Sequence, residues 1–289
     1  MLHRGRATRE MEGRVVRAPA QPLSDIPIAL TIAGSDSGGG AGIQGDLKVF
    51  FALGCHGTSA ITALTAQNTV GVSGIHEVPP EFVIAQIDSI VTDIGVGAAK
   101  TGMLSSATII EAVAEAVRAH AIVNLVVDPV SVSKHGDRLL AEDAVEALVR
   151  NVLPLALVIT PNLHEAGMLL NRTISTLSEM ETAARDLAGL GPRTVLVKGG
   201  HLEGEVATDI FFDGSEVHRI EGPRYDTTDT HGTGCALSAA IAARIAHGDE
   251  PLEAVRYAKG FVGGAIQRGL RIGKGVGPVN PGWRLSQHG

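Results

Sequence analysis

Again and again along this chain a short apolar run stops at small or polar residues and a helical pattern follows. That rhythm confines the chain to a mainly parallel α/β sheet. Residues 28–32 run into Gly34-Ser35-Asp36-Ser37-Gly38-Gly39-Gly40-Ala41-Gly42, and Ile43, Leu47, Phe50 and Phe51 then recur at helical spacing. Residues 57–64, rich in small and β-branched side chains, end at Thr65-Ala66-Gln67-Asn68-Thr69. A helix around Phe82, Ala85, Ile87 and Ile90 leads to a strand at 96–100 and then Thr101-Gly102-Met103. The helix at 107–120 turns Ile110, Val113, Ala114 and Val117 inward, and the strand at 124–127 stops at Asp128-Pro129-Val130. The alternation continues with a helix near 141–150, a strand at 157–159, a turn over 160–165, a helix at 179–190 and a strand at 194–197. A hairpin over 208–212 and 217–220 around Asp213-Gly214 comes next, with a last helix at 252–267.

The most suggestive stretch is Thr230-His231-Gly232-Thr233-Gly234-Cys235, where glycines open a buried helix carrying Leu237, Ile241 and Ile245. The unpaired N–H groups of such a helix start attract anions. Cys235 stands in the first turn, where a thiol pKa tends to fall, so a thiolate able to accept a proton is expected; a cysteine that simply packs among alanines is the alternative. The loop at 34–42 is neither a G-x-x-x-x-G-K-[ST] phosphate loop nor a G-x-G-x-x-G dinucleotide turn. In an open parallel sheet ligands bind at the carboxyl ends of the strands, so Asp36, Gln67, Asp128, Asn162 and Glu165 should share one edge. Asp46 lies one turn into the first helix, near enough to the glycine loop to accept from a polar ligand, and Lys198 ends a strand where it can neutralise a phosphate.

Composition narrows the function. Aromatic residues are 3% and the net charge is −7, which argues against a stacking platform or a general polyanion binder. Cys55 and Cys235 supply neither a disulfide framework nor zinc-ligand spacing, as suits a cytoplasmic protein. No apolar run is long enough to span a bilayer. Residues 1–25 hold five arginines against two glutamates and are expected to be a disordered extension, with Met11 a candidate alternative start. Residues 26–289 are expected to form a single domain.

Together the glycine loop with Ile43 and Gln44, Gln67-Asn68-Thr69, Lys100-Thr101-Gly102-Met103, Thr160-Pro161-Asn162-Leu163-His164-Glu165, Lys198-Gly199-Gly200-His201 and His231–Cys235 closely resemble the hydroxymethylpyrimidine/phosphomethylpyrimidine kinases of thiamine biosynthesis. The resemblance runs from about residue 28 to 281. It implies a ribokinase-like three-layer α/β/α sandwich with little or no separate lid domain, and two ATP-dependent phosphorylations of 4-amino-5-hydroxymethyl-2-methylpyrimidine. Carried over residue by residue, it assigns Asp46 and Gln67 to the pyrimidine, with Gly34, Met103 and Val130 lining the pocket. Gly232, Thr233, Gly234 and Cys235 fall in the catalytic stretch, with Cys235 where sugar kinases of the superfamily carry an aspartate base. Asn162, Lys198 and Lys274 fall to the nucleotide, and Glu165 and Asp128 to Mg²⁺. A homodimer is implied, with neither nucleic acid nor membrane as partner. The nearest rival is a pyridoxal kinase of the same subfamily, which Gln67 disfavours because its amide can both donate to and accept from an aminopyrimidine. A thiol hydrolase using Cys235 and His231 would leave the other motifs idle, and a vitamin-binding regulator would lack a DNA-reading helix pair.

Overall fold

The computed structural model describes residues 25–130, 142–200, 202, 204 and 206–285. The expected extension therefore lies, apart from Asp25, outside the described residues, as do the expected helix start at Ala141 and His201 of the fifth motif. Strand β1 (Ile28–Ala33) is followed by α1 (Gly42–Ala52), and β2 (His56–Ile61) pairs with β1 in parallel. After two further strands, β3 (Ala63–Gln67) and β4 (Val72–Glu77), and helix α2 (Pro80–Asp93), the chain crosses over. It enters β5 (Ala98–Thr101) on the other side of β1. From there α3 (Ala107–Ala119), β6 (Leu125–Val127), α4 (Glu142–Ala147), β7 (Val158–Ile159), α5 (Leu163–Leu170), α6 (Leu177–Ala188) and β8 (Thr194–Val197) extend the sheet in one direction. The hairpin of β9 (Val206–Phe212) and β10 (Val217–Pro223) closes that edge, and α7 (Thr233–Ala246) and α8 (Pro251–Gln267) complete the chain.

The main sheet has the order β10-β9-β8-β7-β6-β5-β1-β2, and among its strands only β9 runs against the rest. Successive residues of a strand face opposite layers. Leu30, Ile32, Ala99, Leu125 and Val127 accordingly pack with α2, α3 and α6, while Ala29, Ala98 and Val126 pack with α1, α7 and α8. Burial on both faces explains why the central strands are near-continuous apolar runs. This is the expected three-layer sandwich.

Four local readings change. The single strand expected at 57–64 breaks at Thr62, whose hydroxyl donates to the Met103 carbonyl at 2.8 Å, and β3 leaves the main sheet to pair with β4 in a small antiparallel flap. Most of β4 is exposed, so it carries no apolar signature. Residues 163–170, read from sequence as the end of a turn and an unassigned stretch, form α5. The helix near 141–150 passes through a π turn at Leu148–Val152 into a 3-10 turn that begins just before Pro154, which has no N–H to continue an α-helix. Phe51 and Phe82, counted with the apolar stripes, are 74% and 60% exposed.

Candidate active site

The loop after β1 is organised by one carboxylate. Asp36 accepts from the N–H groups of Gly38 at 2.8 Å, Gly40 at 3.0 Å and Ala41 at 2.8 Å, and it meets His231 Nε2 at 2.8 Å. Burial works to raise its pKa, but the bonds from His231, Ala41 and Gly38 outweigh it and hold the carboxyl below its ordinary value. His231 belongs to the segment that opens α7, so Asp36 ties the glycine loop to the helix start. Contact between the two is direct: a Cβ on Gly232 would lie 1.9 Å from the Gly40 carbonyl oxygen. The tail joins them, as His231 N–H donates to Gly277 and Val279 N–H to His231. Sequence alone places Asp36 only at the sheet edge; the D-x-G pattern of an Asx turn is the available signal for its loop-organising role.

Between β1 and β5, where the chain order switches direction and ligands of open α/β sheets bind, a second polar group is buried. Thr31 and Lys100 are register partners on these strands, and both bond Asp46 Oδ2 from α1, at 2.7 and 2.8 Å. Lys100 and Asp46 are both 0% exposed. Burial opposes the Lys100 ammonium, but the Asp46 carboxylate, with Asp128 adding to it, holds its pKa above the usual lysine range. Lys100 carries no role in the sequence reading. Cys235 shares this neighbourhood and receives a hydrogen bond from the Gly42 N–H. Its expected low pKa is not found. Burial pushes the thiol up to about 11, with Asp46 and Asp128 adding to the rise and only Lys100 and the Gly42 bond opposing it. At neutral pH the residue is a thiol.

Lys198, Asp128 and Glu165 form the third group. Lys198 Nζ lies 2.9 Å from Asp128 Oδ1 and 3.8 Å from Glu165 Oε2, and the Asp128 carboxylate also accepts from Thr160 and Ser238. Burial favours the neutral forms here, but the opposite charges hold Asp128 low and Lys198 high. A Cβ on Gly234 would stand 3.3 Å from Lys198 Nζ, which places this ammonium against the first turn of α7. Lys198, expected to await a phosphate, is thus engaged with both carboxylates assigned to the metal. No group of three or more His, Cys, Asp or Glu side chains suited to a metal occurs among the described residues. Mg²⁺ commonly takes one or two carboxylates and completes its shell with water and phosphate, so the Asp128–Glu165 pair fits it as a partial donor set. The N-x-x-E element has a structural duty as well. Asn162 Oδ1 accepts from the Glu165 N–H at 2.9 Å and Glu165 Oε2 from the Asn162 N–H at 2.8 Å, a capping box that starts α5.

The remaining assignments are scattered around these groups. Gly34 sits under Met103, whose terminal methyl lies 2.3 Å from where a Cβ would be. Val130 comes two residues after Asp128 and is half-buried. Gln67 is half-buried at the end of β3, its backbone held by Ser37 at 2.8 Å and its Oε1 3.4 Å from the Thr65 hydroxyl. Lys274 is exposed; its N–H donates to Thr69 Oγ1 at 3.2 Å, so the tail loop rests on the flap rather than on Lys198.

An anion-attracting helix start beside a lysine and two carboxylates suits transfer of a charged group. Comparison with known proteins agrees. The family model described as phosphomethylpyrimidine kinase matches residues 36–280. The hydroxymethylpyrimidine/phosphomethylpyrimidine kinase of Streptomyces coelicolor is 52% identical over 270 residues, which are 93% of this chain and 99% of that one. The thiamine biosynthesis bifunctional protein ThiED of Geobacter sulfurreducens is 50% identical over 251 residues, 87% of this chain but 51% of that longer one. The crystal structure of an ADP complex of Bacillus subtilis pyridoxal kinase superposes with a TM-score of 0.84 at 38% identity, covering 90% of this chain and 99% of that one. Because the family match spans most of the described residues and the Streptomyces relative is similar along nearly its whole length, the chain belongs to the phosphomethylpyrimidine kinase family.

Proposed function

We infer that the protein transfers the γ-phosphoryl group of ATP to the hydroxymethyl oxygen of 4-amino-5-hydroxymethyl-2-methylpyrimidine, and then a second phosphoryl group to the resulting monophosphate, in thiamine biosynthesis. In the first step the bond from Pγ to the ADP oxygen breaks, a bond from Pγ to the hydroxymethyl oxygen forms, and the hydroxyl proton is released to solvent. In the second an oxygen of the monophosphate is the nucleophile. Phosphoryl transfer asks a protein mainly for alignment and charge stabilisation. The observation that carries the reading is the approach of Lys198, paired with Asp128 and Glu165, to the first turn of α7 at Gly234. The backbone from Gly232 to Cys235 would hold the charge on the transferred group, with Lys198 beside it. Asp128 and Glu165 would hold Mg²⁺, which when bound neutralises phosphate charge. Asp46 and Gln67 would orient the pyrimidine, Gly34, Met103 and Val130 would pack around it, and Lys274 and Asn162 would approach the nucleotide. Cys235, as a thiol, would hydrogen-bond the reacting hydroxyl, and it serves as base only if bound substrates lower its proton affinity.

The test is mass-spectrometric product analysis after incubation with MgATP and the pyrimidine, with pyridoxine in a parallel reaction. Mono- and diphosphate of the pyrimidine are expected. Monophosphate alone would remove the second step, and phosphate on pyridoxine only would move the activity to the rival substrate. No helix among the described residues is long and apolar enough to cross a membrane. A cytoplasmic homodimer completes the proposal, to be checked by fractionation and light scattering.

A further inference from the structure

Thr69 closes the motif Gln67-Asn68-Thr69 at the tip of the flap, and nothing in the proposed chemistry uses it. The turn there is shaped by Asn68, whose N–H donates to Gly71 at 3.1 Å and whose Oδ1 accepts from Val70 at 2.9 Å and Gly71 at 3.3 Å. Both oxygens of Thr69 are left for the tail, where Lys274 lies 205 residues further along. Its Oγ1 accepts from the N–H groups of Lys274 and Gly275 at 3.2 Å each, and its carbonyl from Val276 at 2.9 Å. The seam is built for close approach. A Cβ on Gly275 would meet the Thr69 carbonyl oxygen at 1.9 Å, and one on Gly273, whose φ is +73°, would meet Oγ1 at 2.2 Å.

Each side of the seam leads to a different part of the site. The flap is a two-stranded sheet, which is marginal alone, and the glycine loop holds its first strand. Ser37 Oγ donates to the Gln67 carbonyl at 2.7 Å and accepts from its N–H at 2.8 Å, while the Thr65 N–H donates to Ser35 Oγ at 2.9 Å. The tail runs on to Gly277, whose carbonyl accepts from His231 at 3.0 Å, just before α7. A ligand that fixes one side therefore lowers the cost of fixing the other. We propose that Thr69 is a positioning residue that links the two substrates: by holding the Lys274 loop on the flap of Gln67, it makes binding of the pyrimidine strengthen binding of ATP, and the reverse. This rests on the proposed function, which sets the pyrimidine at Gln67 and the nucleotide at Lys274, and Thr69 acts through those two segments rather than on either ligand.

Turnover of MgATP and the pyrimidine by the wild type is measured first, and its absence would sink the functional reading and this inference with it. Calorimetric titration of a non-hydrolysable ATP analogue with Mg²⁺ follows, alone and with saturating pyrimidine, and then in the reverse order. In the wild type the pyrimidine is expected to lower the Kd of the analogue about fivefold or more, with the same factor in the reverse titration. Thr69→Val keeps the shape but removes the Oγ1 acceptor, and the factor should fall to within about twofold of one. The Kd of the pyrimidine without nucleotide should stay within about twofold of wild type, because Ser35 and Ser37 still hold β3 and Asp36 still joins the glycine loop to His231. Thr69→Ser, which restores the hydroxyl, should recover the factor. Gly275→Ala opens the same seam from the tail and carries the test if Thr69→Val does not fold. It should uncouple the ligands in the same way, and the double variant should add nothing further. Equal affinities with and without the second ligand in the wild type would overturn the proposal and leave the functional reading intact. So would a wild-type factor in Thr69→Val and Gly275→Ala, or weaker binding of both ligands at an unchanged factor, which is what a merely structural role produces.

Discussion

Gly232 shows how little room a single position can leave. Its φ of +79° is a left-handed conformation, and a Cβ there would run into the Gly40 carbonyl at 1.9 Å, a backbone atom that cannot swing aside. Gly232→Ala is therefore expected to cost about 2 kcal/mol or more of stability and to lower turnover by separating the glycine loop from the start of α7. Urea denaturation and steady-state kinetics on one preparation check both effects. Cys235 gives a second prediction at this scale. With its thiol pushed up to about 11, alkylation by iodoacetamide should be slow at neutral pH and still accelerating above pH 9. A midpoint at or below about 8.5, the ordinary cysteine value, would show that the helix start wins after all. The sequence points to Cys235 correctly as a residue at the helix start, but it does not give the sign of its pKa shift. Helix position is local, whereas the burial that raises the thiol comes from tertiary packing, and the Asp46 and Asp128 carboxylates that add to it arrive from α1 and the end of β6.

Among elements, α5 is hidden for a reason. The pattern Asn162-x-x-Glu165 can be read as a capping box or as an acidic element near a phosphate, and the structure uses it at least for the first. Asn162→Ala should cost about 1 kcal/mol through loss of the cap, measured by chemical denaturation, before any effect on ATP is considered. A change in KM for ATP beyond what Glu165 repositioning produces would then bear on a nucleotide role. The flap of β3 and β4 escapes for the opposite reason: a two-stranded exposed sheet needs few apolar residues, so nothing in 72–77 announces it. Since Gln67 sits on that flap, Gln67→Leu is expected to reduce turnover of the pyrimidine with little change in melting temperature. Unchanged pyrimidine kinetics would remove Gln67 from the site. Gly45 also belongs here. Alanine would raise the helix propensity of α1 by about 1 kcal/mol, yet its Cβ would press the Gly40 carbonyl at 3.2 Å, so the net gain should be smaller than propensity alone gives.

For the whole molecule, stability at low pH depends on Asp36, which joins the glycine loop, the start of α7 and, through His231, the tail. Its folded pKa lies below the ordinary 3.8, so its contribution is fully present above that value and is lost as pH falls through the lower folded one. The urea midpoint of the wild type should therefore fall below about pH 3.8 more steeply than that of Asp36→Asn, the gap between them narrowing toward acid; parallel curves would refute the linkage. Across this chain the sequence by itself determined the strands of the main sheet and most of the helices that cover them, because periodicity, glycine turns and strand ends are local properties, while β4 and α5 escaped it. Only the tertiary structure decided that Lys100 and Thr31 share Asp46, that Lys198 lies between Asp128 and Glu165, and that Cys235 is a thiol. Those outcomes depend on distance and burial between residues far apart in the chain, and both are set when the strand order reverses between β1 and β5.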